Sequence, residues 1–233
     1  MRLLAVLTSW LACVPRFPMG MWVHDALGPR PEKTLVIYEF EGCPFCRKVR
    51  EALTMLDLDA EIRPCPKGGP GFRQELIQRG GKAQFPYVID DNQGVELYES
   101  DDIIEHLYKH YGAGSPPLLL RLGPLTALAS SLASLWRPGR GSLYRASRTP
   151  ARPLELYSFE ISPYCRLARE ALTELELPYL LHNVGKDSAG RAAFLQRSGR
   201  MMVPYLVDPN TGTEMHESAD IVAYLQRTYG SAA

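Results

Sequence analysis

The chain has 233 residues, of which 45% are hydrophobic and 22% are charged, a composition typical of a globular protein and not of a disordered one. Its 26 basic residues balance its 26 acidic residues, which removes the general electrostatic attraction to nucleic acid, so no nucleic-acid partner is expected. Five cysteines are too few for a disulfide scaffold, and their odd number leaves at least one thiol unpaired within the chain.

An apolar run over Leu3–Val14 opens the chain and is shorter than the roughly 20 residues that a membrane-spanning helix needs. Arg2, the apolar run and Leu11-Ala12-Cys13 together resemble a lipoprotein-type signal peptide. A similar apolar run followed by Pro- and Gly-rich sequence recurs in the middle of the chain, which favours a structural helix instead. We therefore expect a helical arm over 1–32, no transmembrane segment, and a cytoplasmic protein, with export or membrane association through this run as the alternative.

The next 80 residues predict a small α/β domain over 33–112. Alternating β-rich residues predict a strand over Leu35–Phe40, and apolar residues at helical spacing predict a helix from Pro44 to about Asp57. A short strand, a second helix, a hairpin of two strands and a last helix are predicted over Ala60–Arg63, Pro70–Arg79, Pro86–Asp90, Val95–Leu97 and Ser100–Tyr111. Gly112 ends the last helix.

The same order of elements recurs in the second half of the chain. Residues 35–58 and 154–177 are identical at 14 of 24 positions, and residues 85–112 and 203–230 at 13 of 28. Two copies of one domain explain this self-similarity, and the second copy is expected over 153–233. Between the copies, 113–152 holds the apolar stretch Leu118–Trp136, predicted as a helix, and the Arg-rich stretch Arg137–Arg152, predicted as a solvent-exposed linker.

The first copy carries Cys43-Pro44-Phe45-Cys46 where its first strand ends and its first helix begins. A helix N-terminus favours an anion, so we expect a lowered pKa and a nucleophilic thiolate at Cys43. Cys46 lies one turn further into the helix and is placed to attack a mixed disulfide on Cys43. A zinc site would need two further ligands at short spacing, and a structural disulfide is less typical of a helix start, so a redox pair is favoured. Three cations are expected to add positive potential nearby: Arg47, Lys48 and Arg50.

This strand–C-P-F-C–helix unit resembles a glutaredoxin, a member of the thioredoxin-fold superfamily. Phe85-Pro86, directly before a predicted strand, resembles the cis-proline loop of that superfamily, and Glu99-Ser100 resembles the Glu-Ser pair of the glutathione-transferase N-terminal domain. The whole chain resembles proteins built from two such domains in tandem. The resemblance implies an α/β fold of two tandem thioredoxin-like (glutaredoxin or glutathione-transferase N-terminal) domains, each preceded by a short helical arm.

The resemblance also implies a glutathione site in the first copy. The backbone of Phe85 would pair with the peptide-like ligand, Ser100 at a helix N-terminus would receive the γ-glutamyl carboxylate, and Glu99 would receive the ammonium. Simple helix capping is the alternative role for Glu99-Ser100. Lys82 is a candidate partner of the glycine carboxylate. The expected glutathione-binding residues are Pro44, Phe45, Lys82, Phe85, Pro86, Glu99 and Ser100, beside the catalytic pair Cys43 and Cys46.

The second copy departs from this pattern because Ser162-Pro163-Tyr164-Cys165 replaces the first copy's C-P-F-C. The attacking sulfur is missing, although a serine at this place hydrogen-bonds the glutathione thiolate in some glutathione transferases. The second copy is therefore either a degenerate structural partner or a second glutathione site. The candidate residues of that second site are Ser162, Cys165, Val203, Pro204, Glu217 and Ser218.

The leading hypothesis is a glutathione-dependent thiol-disulfide oxidoreductase of glutaredoxin type, acting on a small-molecule or protein disulfide. One alternative is a glutathione S-transferase-like enzyme in which Cys43 or Ser162 stabilises the glutathione thiolate. Another is a non-catalytic glutathione-binding or scaffold module. A typical glutathione transferase follows its N-terminal domain with a long helical domain that forms the hydrophobic-substrate pocket. Here only Leu118–Trp136 is predicted as helix before the fold restarts, so we expect conjugation of bulky electrophiles to be disfavoured. Glutathione is expected as cosubstrate and no metal is expected, while the oligomeric state is left open.

Overall fold

The computed structural model describes residues 2–24, 27–121 and 137–231. Helix α1 (Arg2–Cys13) and a short 3₁₀ turn (Val14–Arg16) lead into the first repeat. The first repeat consists of β1 (Leu35–Glu39), α2 (Pro44–Met55), β2 (Ala60–Pro64), α3 (Phe72–Gly80), β3 (Tyr87–Asp90), β4 (Val95–Leu97) and α4 (Ser100–Tyr111).

The second repeat follows the same order after a short helix, α5 (Leu118–Arg121). Its elements are β5 (Leu154–Ser158), α6 (Pro163–Glu174), β6 (Tyr179–Asn183), α7 (Arg191–Ser198), β7 (Tyr205–Asp208), β8 (Thr213–His216) and α8 (Ser218–Tyr229). The rest of the helix predicted up to Trp136 lies outside the described residues. The predicted α/β fold of two thioredoxin-like units in tandem is confirmed.

One eight-stranded sheet runs through both repeats in the order β4-β3-β1-β2-β6-β5-β7-β8. The repeats join where β2 pairs antiparallel with β6, with Glu61 opposite Leu180 and Ile62 opposite Tyr179. Glu61 and Leu180 are equivalent residues of the two repeats, so the junction has a local two-fold symmetry. It therefore resembles the isologous interface of a symmetric dimer, built within one chain.

The hydrophobic core is also continuous across this junction. Leucines from both repeats are fully buried in one cluster, among them Leu35, Leu53, Leu107, Leu154, Leu172 and Leu225. Apolar residues of α2 and α6 recur at helical spacing, which turns one side of each helix toward the sheet. The two repeats are thereby packed together as well as paired through their strands.

Helices α2 and α6 also bury charged residues, which pair across the junction. Arg50 Nε lies 2.9 Å from Glu160 Oε2, and Arg169 Nε lies 2.8 Å from Glu41 Oε2. Arg50 additionally contacts Glu39 at 2.6 Å. Buried ion pairs are costly to desolvate, but breaking one leaves an uncompensated charge, so they penalise any other arrangement of the repeats.

The N-terminal arm crosses to the second repeat. Helix α1 packs on α6, and the buried Ser9 hydroxyl donates a hydrogen bond to the Pro163 carbonyl at 2.7 Å. Further along, Trp22 forms an isolated β-bridge with Lys186 of the second repeat. Leu27 then forms another with Gly112 of the first repeat. Among the described residues, no helix has the length and apolar character needed to cross a bilayer.

The stretch Arg137–Arg152 forms a second arm, in which Arg137 and Gly141 are buried and most other residues are exposed to solvent. Arg137 is buried, and its Nε lies 2.6 Å from Glu170 Oε1. Arg145 Nε lies 3.0 Å from Glu174 Oε2. Arg137 and Arg145 thus lie against carboxylates of α6, and this pairing could not be read from a stretch that contains no acid of its own.

Candidate functional site

The C-P-F-C motif lies at the turn between β1 and α2. Pro44 is the first residue of α2, where its missing N–H is not needed, and Cys43 is the N-cap residue with an extended backbone. The Cys43 sulfur accepts a hydrogen bond from the Cys46 backbone N–H at 3.2 Å. The structure thus places the Cys43 sulfur where the free N–H groups of the helix start can stabilise its thiolate.

The two thiols differ in acidity. Burial acts to raise the pKa of Cys43, but hydrogen bonds from Cys46 and the Phe45 backbone, together with the charge of Arg50, outweigh it, and the net pKa is lowered. Burial and the neighbouring Cys43 sulfur raise the pKa of Cys46 well above the usual range. Cys43 is therefore the thiol that ionises readily, and Cys46 is a protonated thiol behind it.

The three cations of α2 are each buried in an ion pair. Lys48 pairs with Asp101, Arg47 Nε lies 3.3 Å from Glu51 Oε1, and Arg50 pairs with Glu39. These partners compensate part of the positive charge that the sequence predicted near Cys43. Arg50 still contributes to lowering the pKa of Cys43.

Phe85 precedes β3, and the Phe85–Pro86 peptide bond is cis. The ladder between β1 and β3 begins at the pair Tyr38–Tyr87, so the Phe85 backbone lies beyond it. The Phe85 ring packs edge-on against Phe40, with ring centroids 5.7 Å apart. The Phe85 backbone is therefore not part of the sheet and could pair with an extended ligand.

Glu99 is the N-cap residue of α4, with a left-handed φ of 66°. Its side chain makes no capping hydrogen bond and instead accepts one from the amide of Gln84. The Glu99 side chain therefore does not cap α4 in this structure. Non-glycine residues rarely adopt this φ, and Glu217, at the equivalent position of the second repeat, adopts it too, with φ of 69°.

The remaining predicted residues of this site have different surroundings. Ser100 is buried at the start of α4, and Phe45 is about half exposed beside Cys43. The Lys82 ammonium lies 4.4 Å from the centre of the Tyr98 ring and contacts its aromatic face. Pro86 is buried next to Phe85.

Strand directions bring these segments to one edge of the sheet. Strand β3 runs antiparallel to β1, so its start lies beside the end of β1, where the Cys43 turn begins. Strand β4 runs antiparallel to β3, so α4 begins at the same edge. The ion pair between Lys48 and Asp101 then ties α2 to the first turn of α4. The Cys43 turn, the Phe85 loop and the Ser100 helix start are thus neighbours.

Arg73 lies at this site and was missed by the sequence analysis. Its guanidinium lies 4.6 Å from the centre of the Phe85 ring and donates hydrogen bonds to the carbonyls of Cys65 and Pro66. In the second repeat, Arg191 donates the equivalent hydrogen bonds to the carbonyls of Val184 and Gly185. The signal was present in the sequence, since both repeats have an arginine at this position.

The second repeat reproduces the geometry of the turn with a hydroxyl group in place of the thiol. The Ser162 oxygen accepts a hydrogen bond from the Cys165 N–H at 3.3 Å. Burial raises the pKa of Cys165. The Val203–Pro204 bond is cis, and Ser218 is buried at the start of α8. Met202 stands where the first repeat has Gln84, so Glu217 cannot form the amide contact of Glu99.

Comparisons with known proteins identify the family of this chain. The family described as "Glutathione S-transferase, N-terminal domain" matches residues 37–116 and 156–233. Glutathione S-transferase-like protein OpS6 of Beauveria bassiana (strain ARSEF 2860) is 26% identical over 227 residues, covering 90% of this chain and 91% of that protein. The solved structure titled "Leishmania TDR1 - a unique trimeric glutathione transferase" aligns with a TM-score of 0.31 and 15% identity, over 86% of this chain and 68% of that chain. Because the family match covers more than half of the chain, in two segments, the protein belongs to the glutathione S-transferase N-terminal domain family.

Proposed function

We propose that the protein is a glutathione-dependent thiol-disulfide oxidoreductase of glutaredoxin type, with Cys43 as nucleophile. The observation that carries this proposal is the unequal thiol pair at the start of α2. A transferase that only orients glutathione needs a single hydroxyl or thiol there. A second thiol behind the first is useful when a disulfide must form and be resolved.

In the first step, the Cys43 thiolate attacks the glutathione sulfur of a mixed disulfide, R–S–S–G. The S–S bond breaks, the R–S⁻ leaving group takes up a proton, and glutathione remains bound to Cys43 as a mixed disulfide. A second glutathione, as thiolate, then attacks that glutathione sulfur. Oxidised glutathione leaves and the Cys43 thiolate is restored, so one mixed disulfide and one glutathione become one thiol and one oxidised glutathione.

Cys46 offers a second route for the resolving step. Its sulfur can attack the Cys43 sulfur, expel glutathione and leave a Cys43–Cys46 disulfide, which two further glutathione molecules reduce. This attack requires loss of the Cys46 proton, which the raised pKa of Cys46 opposes. We therefore assign the faster route to glutathione and the slower one to Cys46.

The residues at the sheet edge fit the parts of glutathione. The Phe85 backbone lies beyond the β1–β3 ladder and suits the cysteinyl amide groups. The start of α4 at Ser100 suits the γ-glutamyl carboxylate, and Glu99 suits the ammonium. Lys82 and Arg73 are the cations proposed for the glycine carboxylate. The five cysteines are all free, which fits a reducing compartment such as the cytoplasm.

The test is glutathione-dependent reduction of a small glutathione mixed disulfide by wild type, Cys43→Ser and Cys46→Ser. Cys43→Ser should lose activity by at least about 100-fold, because the attacking thiolate is gone. Cys46→Ser should keep activity within a few-fold. Cys165→Ser, the equivalent change in the second repeat, is the matched control and should be unaffected. A wild type that binds glutathione but reduces no disulfide would sink the proposal.

A glutathione transferase-like activity is the second candidate, and the Ser162 geometry favours it. Its hydroxyl oxygen has the same backbone contact as the Cys43 sulfur, so it can donate a hydrogen bond to a glutathione thiolate. Conjugation of a small aryl halide, with release of the halide ion, should then fall in Ser162→Ala and persist in Cys43→Ser. Glutathione binding without either activity would leave a non-catalytic binding or scaffold module.

A further inference from the structure

The two residues that lead into Cys43 are held by the second half of the chain. The Gly42 N–H donates a hydrogen bond to the Gly141 carbonyl of the second arm at 2.9 Å. Arg169, on α6, donates to Glu41 Oε2 through Nε at 2.8 Å and to Oε1 through Nη2 at 3.2 Å. The side chains of Glu41 and Arg169 are both almost fully buried. The position of the two residues before Cys43 therefore depends on contacts from outside their own repeat.

This contact is closely packed. Gly141 has a left-handed φ of 63°, and a methyl group on it would lie 2.7 Å from the Cβ of Glu41. The arm continues along the loop after β2. There the Lys67 backbone N–H donates to the Ser142 carbonyl at 2.7 Å, and the Lys67 carbonyl accepts from the Tyr144 N–H at 3.0 Å. The arm is thus hydrogen-bonded to both loops that follow the carboxyl ends of β1 and β2.

The first half of the chain supports the second in the same way. The Ile161 N–H donates to the Gly20 carbonyl at 3.3 Å. Gly20 has φ of 71°, and a methyl group on it would lie 2.8 Å from the Cβ of Glu160. Ile161 is followed by Ser162, which has no thiol. The support is duplicated between the repeats, while the nucleophile is not.

We propose that the second repeat and its arm act as a positioning element for Cys43, with Gly141 and Arg169 setting the path of Glu41 and Gly42. This inference rests on the proposed role of Cys43 as nucleophile. Hydrogen bonds weaken steeply with distance and angle. A shift at Gly42 moves the Cys43 sulfur away from the N–H groups that stabilise its thiolate. The repeat without a thiol thereby contributes to the chemistry of the repeat that has one.

The experiment compares Gly141→Ala with the matched control Gly20→Ala. Both changes put a methyl group at a left-handed φ against the Cβ of a buried glutamate, so their structural cost should be alike, and urea unfolding checks this. The readout is the rate of Cys43 alkylation by iodoacetamide from pH 5 to 10, followed by peptide mass spectrometry. Gly141→Ala should lower the Cys43 alkylation rate at pH 7 about tenfold and move its midpoint upward. Gly20→Ala displaces Glu160, which is linked to Cys43 through Arg50, and should lower that rate by clearly less than Gly141→Ala does.

Equal effects of the two variants on Cys43, or no effect of Gly141→Ala, would overturn the inference. If Gly141→Ala does not fold, Arg169→Lys replaces it, because lysine keeps the charge but loses the two-pronged contact with Glu41. It should shift the alkylation midpoint in the same direction, and an unchanged midpoint would overturn the inference. The readout is independent of disulfide reduction. A shifted midpoint in a protein without reductase activity would contradict the proposed function and leave the positioning role standing.

Discussion

Asp57 and Glu176 are equivalent residues of the two repeats, and each accepts backbone N–H groups from the opposite repeat. Asp57 Oδ2 accepts from Ala189 at 3.1 Å, just before α7, and Glu176 Oε1 accepts from Phe72 at 3.0 Å, the first residue of α3. Both have a left-handed φ, 53° and 50°. Each repeat therefore supplies a carboxylate to the start of a helix in the other, where the helix dipole favours negative charge.

Glu176→Ala should destabilise the protein by about 1–2 kcal/mol, because α3 loses the acceptor for its first N–H groups. Asp57→Ala should cost less, since its carboxylate accepts a single backbone N–H from the opposite repeat in a more exposed position. Urea unfolding of the two variants and wild type provides the free energies. An unchanged value for Glu176→Ala would show that water replaces the carboxylate without loss.

Ionisation of Glu39 should make the free energy of unfolding fall as pH rises. Burial raises its pKa to about 7, because desolvation and the nearby Glu41 and Glu160 outweigh the attraction of Arg50. The folded protein then binds the Glu39 proton more tightly than the unfolded chain does. The stabilisation is full below the ordinary value of 4.5 and is lost as pH rises to about 7, by up to about 3 kcal/mol.

The matched variant is Glu39→Gln, which cannot titrate, and the second repeat already has the neutral Ser158 at this position. Urea unfolding of wild type and Glu39→Gln should be compared at intervals from pH 4.5 to 8. The stability difference between the two proteins should change steadily across this range and level off above pH 7. A constant difference would contradict the assigned titration of Glu39.

Ser162→Cys should create a second reactive thiol. The Ser162 oxygen already occupies the place of the Cys43 sulfur and accepts the equivalent backbone N–H, so a sulfur there should have its thiolate stabilised in the same way. In the Cys43→Ser background, iodoacetamide at pH 7 should label position 162 and leave Cys165 unmodified, because burial raises the pKa of Cys165. Equal labelling of both cysteines would argue against stabilisation by the helix start.

Arg50→Met should destabilise the protein by about 3–5 kcal/mol, because it leaves Glu39 buried without its cation and removes one of the two arginines closest to Glu160. The control is Arg79→Met, whose ion pair with Glu96 is exposed to solvent and should be worth less than about 1 kcal/mol. Chemical denaturation measures both. Similar losses in the two variants would mean that water reaches the buried pair.

The sequence alone determined the repeat, the order of its strands and helices, and the place of Cys43 at a helix start. The repeat comes from the similarity of the two halves of the sequence. The other features come from signals within a few residues of each other: apolar spacing, Pro44 at the first helical position, and turn residues such as Gly94. The structure moved predicted boundaries by only a few residues, as at Phe72, where α3 begins two residues after the predicted Pro70.

Only the tertiary structure decided how the two repeats join and what surrounds the thiol. The pairing of β2 with β6, the crossing of the arms and the burial of Arg137 against Glu170 join residues 33 or more positions apart. No local pattern specifies such a partner, because a charged residue looks solvent-exposed in sequence until the fold brings a buried opposite charge to it. For the same reason, the sequence could identify Cys43 as the proposed nucleophile but not Gly141 and Arg169, which contact the residues leading to it.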